Sequence, residues 1–149
     1  MLLHDRLKED MRAALRRGDK ARLAALRLAL AAVKQREVDT REPQDDAAVQ
    51  AVLRKLIKQG RDSAEQYRRG GREDLAAKEA YETDVLDEYL PEPLDEAQID
   101  ALIEEAISTS GAASVKDMGK VMSLIKSRAA GRVDMAAVGA RVRSRLQPG

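Results

Sequence analysis

Apolar residues recur along this chain every three or four positions, with polar residues filling the gaps. That periodicity predicts helices from end to end. Leu3, Leu7, Met11 and Leu15 predict a first helix that stops near Gly18 and Asp19. Asp19 is placed to cap a second helix, where Leu23, Leu26, Leu30 and Val33 follow the spacing of an antiparallel helix pair. The stretch from Val38 to Asp46, with Thr40, Pro43 and several acids, predicts a loop. Asp45 or Asp46 then caps a third helix whose Val49, Val52, Leu53, Leu56, Ile57, Ala64 and Tyr67 face inward. Gly60 interrupts that helix at a cost of about 1 kcal/mol relative to Ala, and is a candidate for close helix packing.

Gly70 and Gly71 end the third helix, and a very acidic fourth is expected from Arg72 to Leu90. Its burial positions are Leu75, Ala76, Tyr81 or Glu82, Val85, Leu86 and Tyr89. Pro91 and Pro93 stop it, because each disfavours helix at the residue before it. A domain boundary is placed there, giving a helical domain over 1–92 and a second over 93–149. In the second, Asp95 and Gln98 predict a capping box ahead of Ile99, Leu102, Ile103, Ala106 and Ile107. Ser114 with Asp117 predicts another, opening a helix with Val115, Met118, Val121, Met122 and Ile125 on its apolar face. Gly131 suits a left-handed C-cap, and Asp134 caps a last helix with Val138, Val142 and Leu146 inward. The expected fold class is all-α: a four-helix N-terminal bundle followed by a three-helix C-terminal bundle.

Composition narrows the chemistry. Of the 149 residues, 44% are hydrophobic but only 2% aromatic, so the cores are built from Ala, Leu, Val, Ile and Met. The absence of Cys excludes disulfides, thiol chemistry and Cys-based metal sites, and a single His4 excludes His clusters. No uncharged apolar run approaches the ~20 residues of a membrane span. The first residues mix acids with bases and show no cleavage signal, so a soluble cytoplasmic chain with no membrane partner is expected.

The net charge of +1 hides a strong asymmetry. Asp5 to Arg36 holds ten bases against four acids; Glu73 to Glu105 holds thirteen acids and one base; Ile107 to the end holds eight bases and two acids. Charge blocks are usually solvated helix faces, and their functional reading is a basic surface for phosphates. Lys116, Lys120, Arg132, Arg141, Arg143 and Arg145 crowd the last segment beside a helix N-terminus, where free N–H groups favour anions. No aromatic residue lies there, so recognition of phosphate backbone and shape is expected rather than base stacking.

Other candidates carry less. Glu79 and Glu82 share a helix face and would be able to share a proton or hold a metal, but a solvated acidic helix is the preferred reading, because metal sites recruit further ligands and turns; pairing with bases on the preceding helix is the alternative. Ser63 follows Lys58 by five residues, which on a helix points the two apart, so they form no nucleophile pair. Gly70-Gly71-Arg72 lacks the spacing of a phosphate loop. No catalytic set, metal or cofactor is expected.

Several of these words occur together in a known family. Lys58-Gln59-x-Arg61-Asp62-Ser63, Gly71-Arg72-x-Asp74-Leu75, Glu79, Glu82, Tyr89-Leu90-Pro91, Lys116-Asp117-Met118-Gly119-Lys120-Val121-Met122 and Gly131-Arg132 resemble the GatB/YqeY family, and the stand-alone YqeY-like branch in particular. The resemblance implies an all-helical fold and likens the C-terminal part to the tail of the GatB subunit of glutamine-dependent tRNA amidotransferase, which helps hold tRNA. It implies a family label of carbon–nitrogen ligase with glutamine as amido-N-donor. It also implies that such activity belongs to the parent complex, since the chain resembles neither the kinase domain nor the amidase subunit. The functional expectation is therefore a non-catalytic, tRNA-associated accessory module. Lys116, Lys120, Lys126, Arg128 and Arg132 would meet phosphates, and Gly119 would allow close backbone approach. The alternative is a protein-interaction module that docks on an amidotransferase or an aminoacyl-tRNA synthetase without touching RNA.

Overall fold

Four helices of this protein start on an aspartate, Asp19, Asp45, Asp95 or Asp134, that accepts a backbone N–H, and Gly18 and Gly111 end two helices in the left-handed region. The computed structural model describes residues 1–129 and 131–147, and among them it is all-helical. The helices are α1 (Leu3–Arg17), α2 (Lys20–Thr40), α3 (Asp46–Arg69), α4 (Glu73–Asp87), α5 (Glu96–Ser110), α6 (Met118–Ala129) and α7 (Met135–Leu146), with a 3-10 turn at Val115–Asp117 leading into α6. Contacts divide the chain into two compact units, Met1–Leu90 and Pro91–Gly149.

In the first unit, α1 ends on Gly18 (φ 71°), and Asp19 accepts from the Arg22 N–H to start α2. Asp45 accepts from the Ala48 N–H at 2.8 Å and starts α3, while its neighbour Asp46 accepts from the Leu3 N–H at 2.8 Å. Two adjacent acids thus satisfy otherwise unpartnered donors at the starts of two helices. The loop expected from Val38 begins later, because α2 runs on to Thr40. Gln35 donates to Asp39, and the Thr40 hydroxyl donates to the Arg36 carbonyl, so the polar residues support one more turn.

The core of this unit gathers Leu3, Leu7, Leu26, Val33, Val49, Leu53, Ile57, Val85 and Leu86. Leu15, expected inside, is 56% exposed, and Ala14 is buried in its place. A four-residue step overshoots a 3.6-residue turn, so the row Leu3, Leu7, Met11, Leu15 winds away from the core. In α4 the choice between Tyr81 and Glu82 falls to Glu82, which is half-buried while Tyr81 is exposed, and the polar Thr83 is buried. Thr83 sits against Gly60: a Cβ built on Gly60 would lie 2.3 Å from Thr83 Cγ2. The absence of a side chain at Gly60 lets α3 and α4 approach closely there.

The second unit has a smaller core: Ile103, Ala106, Val121, Ile125, Val138, Val142 and Leu146. Asp95 and Gln98 form a full capping box on α5, with bonds of 2.7 and 3.0 Å. Gly111 and Gly131 take positive φ at the two turns, and Asp134 caps α7 through the Ala136 and Ala137 N–H groups. The segment before α5 is held to the α6–α7 turn. Leu94 N–H donates to the Arg132 carbonyl at 2.9 Å, and Arg132 Nε donates to the Glu92 carbonyl at 2.9 Å.

Candidate nucleic-acid interface

The basic residues of the second unit fall into two groups once their partners are known. Arg141 pairs with Glu96 and with Asp100 (3.4 Å), and Arg145 pairs with Asp100 (3.2 Å) and Glu104 (3.4 Å). Arg128 pairs with Glu105. The acids of α5 therefore neutralise arginines of α6 and α7, and what looks basic in the sequence is a laced charge pair in space. Such surface pairs hold register but contribute only about 0–1 kcal/mol each. Arg132 is half-buried and spends its Nε–H on the Glu92 carbonyl.

The second group is free. Lys116, Lys120 and Lys126 are exposed, and among the described residues none of them forms an ion pair; the same is true of Arg143. Lys116 lies in the 3-10 turn, with Lys120 one turn on at the start of α6. Gly119, between them, is exposed, and a Cβ there would meet nothing within 4 Å. The sequence-predicted set thus splits: Lys116, Gly119, Lys120 and Lys126 face solvent, whereas Arg128 and Arg132 are engaged by groups of their own unit.

The start of this helix differs from the expected capping box. Ser114 Oγ accepts from the Lys116 N–H at 3.3 Å, and Asp117 reaches past Ser114 to accept from the Ala113 N–H at 3.0 Å. The tight first turn moves the acid one residue further back. The Ala113 N–H holds the Asp117 carboxyl below its usual range, with smaller help from the Ser114 N–H and Lys120. At the helix start itself the Lys116 N–H is taken by Ser114, and the lysine side chains are the exposed groups placed to attract phosphate.

The first unit holds a polar cluster that the sequence did not announce. The Tyr89 hydroxyl donates to Asp10, the Arg6 guanidinium stands 4.6 Å from the centre of the Tyr89 ring, and Arg22 donates to Glu88 at 2.7 Å. Burial and the bond to Asp10 push the Tyr89 phenol up to about 12. The Glu88 carboxylate raises the pKa of Arg22. A cleft of about 320 Å³ beside this cluster is lined by Asp10, Ala13, Arg17, Asp19 and Arg22, and its charges are balanced within it. The only hint in the sequence was the Tyr89-Leu90-Pro91 word; its partners lie as far away as Asp10, beyond the reach of local spacing.

The remaining candidates are settled by their surroundings. His4 Nδ1 lies 3.6 Å from Glu37, joining α1 to α2. Glu82 pairs at 3.9 Å with Lys78 of its own helix, not with a base of the preceding one, and Glu79 forms no ion pair among the described residues. Ser63 and Lys58 share no hydrogen bond among the described residues. No group of three or more His, Cys, Asp or Glu residues able to hold a metal occurs among the described residues, and no helix there is long and apolar enough to cross a membrane.

Comparison with known proteins agrees with the motif words. Residues 4–146 match the model of the YqeY-like protein family. Among its relatives is the "Altered inheritance of mitochondria protein 41, mitochondrial" of Eremothecium gossypii, 34% identical over 71% of this chain and 62% of the relative. Proteins of the same name from Pyrenophora tritici-repentis (34% identical; 83% of this chain, 71% of the relative) and Vanderwaltozyma polyspora (28% identical; 75% and 64%) also match. The matched region thus spans less than two thirds of two of these three relatives. These names contradict the expectation of a cytoplasmic chain, since the relatives are named as mitochondrial proteins. The physical basis for that expectation was thin, since a cysteine-poor, highly charged helical protein suits any aqueous reducing compartment. The match over residues 4–146 and the shared motif words together make the chain a member of the YqeY-like family.

Proposed function

We propose that the chain is a non-catalytic module that holds tRNA by its phosphate backbone, through Lys116, Lys120 and Lys126 of the second unit. One observation carries this reading. These lysines are exposed and unpaired among the described residues, while Arg128, Arg141 and Arg145 nearby are neutralised by acids of α5. An exposed amine without an acid partner releases no internal bond when it meets a phosphate, and each such contact adds counterion release. Gly119 leaves open space between two of the amines, so a sugar–phosphate strand meets no side chain there. Arg128 would join only by exchanging Glu105 for a phosphate, and Arg132 only by leaving the Glu92 carbonyl.

In this reading the chain is a four-helix bundle followed by a three-helix bundle, the second kin to the tail of the GatB subunit. The carbon–nitrogen ligase label then describes the complex in which such a tail works. The test is titration of labelled tRNA by fluorescence anisotropy at two salt concentrations. Lys116→Ala with Lys120→Ala is expected to weaken binding and flatten its salt dependence by about one unit of slope per lysine. Unchanged affinity in the double variant would remove this patch as the contact.

A further inference from the structure

A second feature lies in the first unit, where Gly60 faces α4. A cavity of about 200 Å³ opens there, lined by Leu28, Leu56, Gln59, Gly60, Ser63, Glu79, Glu82, Thr83 and Leu86. Its apolar part is Leu28, Leu56 and Leu86; its polar part is two carboxylates, an amide and the hydroxyls of Ser63 and Thr83. The Glu82 side chain is only 14% exposed, and its one ion-pair partner among the described residues is Lys78, itself largely exposed, at 3.9 Å. Glu79, one turn away on the same face, forms no ion pair among the described residues and lies 3.7 Å from where a Gly60 Cβ would be. The cavity therefore holds more negative charge than its own cations balance. Burial raises the Glu82 pKa, and the neighbouring Glu79 raises it further against a lowering by Lys78.

We propose that this cavity receives the arginine side chain of a partner polypeptide, its alkyl stem along Leu28 and Leu56 and its guanidinium between Glu79 and Glu82. Two carboxylates on one helix face suit the two-pronged donor set of a guanidinium, and Gln59 and Ser63 supply acceptors for the remaining N–H groups. A partner chain fits better than a free cation for two reasons. Leu28 is 45% exposed at the rim. The cavity also shares Leu56 and Gln59 with a second groove, of about 510 Å³, between α2 and α3, whose apolar floor of Ala32, Ala51 and Val52 is flanked by Arg36, Asp39 and Lys55. Apolar residues flanking the arginine would cover that surface; a free amine would leave it wet.

The test uses the full chain and follows the Gly60 amide and the Thr83 methyl by NMR. Three probes are titrated: a blocked peptide with one arginine between leucines, the same peptide with citrulline in place of arginine, and n-butylguanidinium. The arginine peptide should give saturable shifts, bind at least about tenfold more tightly than either of the other two, and lose that advantage in Glu79→Gln with Glu82→Gln. These substitutions relieve like charge, so the variant stays folded. Equal binding of the arginine and citrulline peptides, a preference that survives in the glutamine variant, or no saturable shift at all would overturn the proposal. Butylguanidinium binding as tightly as the peptide would overturn the partner chain as the occupant.

Discussion

Gly60→Ala puts opposing effects of known size against each other. On propensity alone the change favours the protein, because Ala in a helix interior is better than Gly by about 1 kcal/mol. Packing opposes it: the new Cβ would stand 2.3 Å from Thr83 Cγ2, well inside any real carbon–carbon contact. Thr83 has little room to turn away, since its hydroxyl donates to the Ala80 carbonyl at 2.8 Å and its side chain is branched at Cβ. Overpacking costs about 1–3 kcal/mol, and a 2.3 Å contact belongs in the upper part of that range, about 2–3 kcal/mol, so after the propensity gain of about 1 kcal/mol a net loss of about 1–2 kcal/mol is expected. Thr83→Ser removes the offending methyl and keeps the hydroxyl. Alone it should destabilise by about 1 kcal/mol for the lost buried methyl; combined with Gly60→Ala it should recover most of the loss, a coupling of about 2 kcal/mol. Urea unfolding followed by tyrosine fluorescence reads this unit alone, because Tyr67, Tyr81 and Tyr89 all precede Pro91. A Gly60→Ala variant more stable than the parent, or one that Thr83→Ser fails to rescue, would refute the close-approach argument.

Other expectations follow from single contacts. Glu82→Gln should stabilise the first unit at neutral pH. The folded state holds the Glu82 proton to higher pH than the unfolded chain does, so stability falls as pH rises from the ordinary carboxyl range through the raised one; the variant's advantage in thermal unfolding should vanish in acid. Tyr89→Phe should cost about 1–2 kcal/mol in urea unfolding by leaving half-buried Asp10 without its donor. In the parent, stability should fall between pH 10 and about 12, as the unfolded phenol ionises before the folded one. Asp95→Ala removes the capping box on α5 and should lower the stability of the second unit by about 1 kcal/mol, read by circular dichroism, with the tyrosine-reported transition unchanged.

Helix starts were legible because an N-cap is a local device: Asp19, Asp95 and Asp134 each accept a backbone N–H two or three residues ahead. Gly18, Gly111 and Gly131 marked helix ends for the same reason, since a left-handed turn excludes most other residues. Burial was less legible. Ala14 carries no hydrophobic signal strong enough to displace Leu15, and only the geometry of a 3.6-residue turn decides between them. Thr83 is buried because Gly60 faces it, which needs the register of α3 against α4. The basic surface was legible as composition but not as a surface. Arg141 and its partner Asp100 lie 41 residues apart, so whether an arginine is free or paired follows from how α5 and α7 pack and not from the charge of a segment.

The central claim is that Lys116, Lys120 and Lys126 hold phosphate while their arginine neighbours are occupied. The most direct measurement is the salt dependence of tRNA affinity for the parent and for two variants: one lacking the three lysines, the other carrying Arg141→Ala with Arg145→Ala. The account predicts that the lysine variant loses most of the affinity and of the salt slope, whereas the arginine variant binds as the parent does. Loss of binding in the arginine variant, with the lysine variant unaffected, would contradict it.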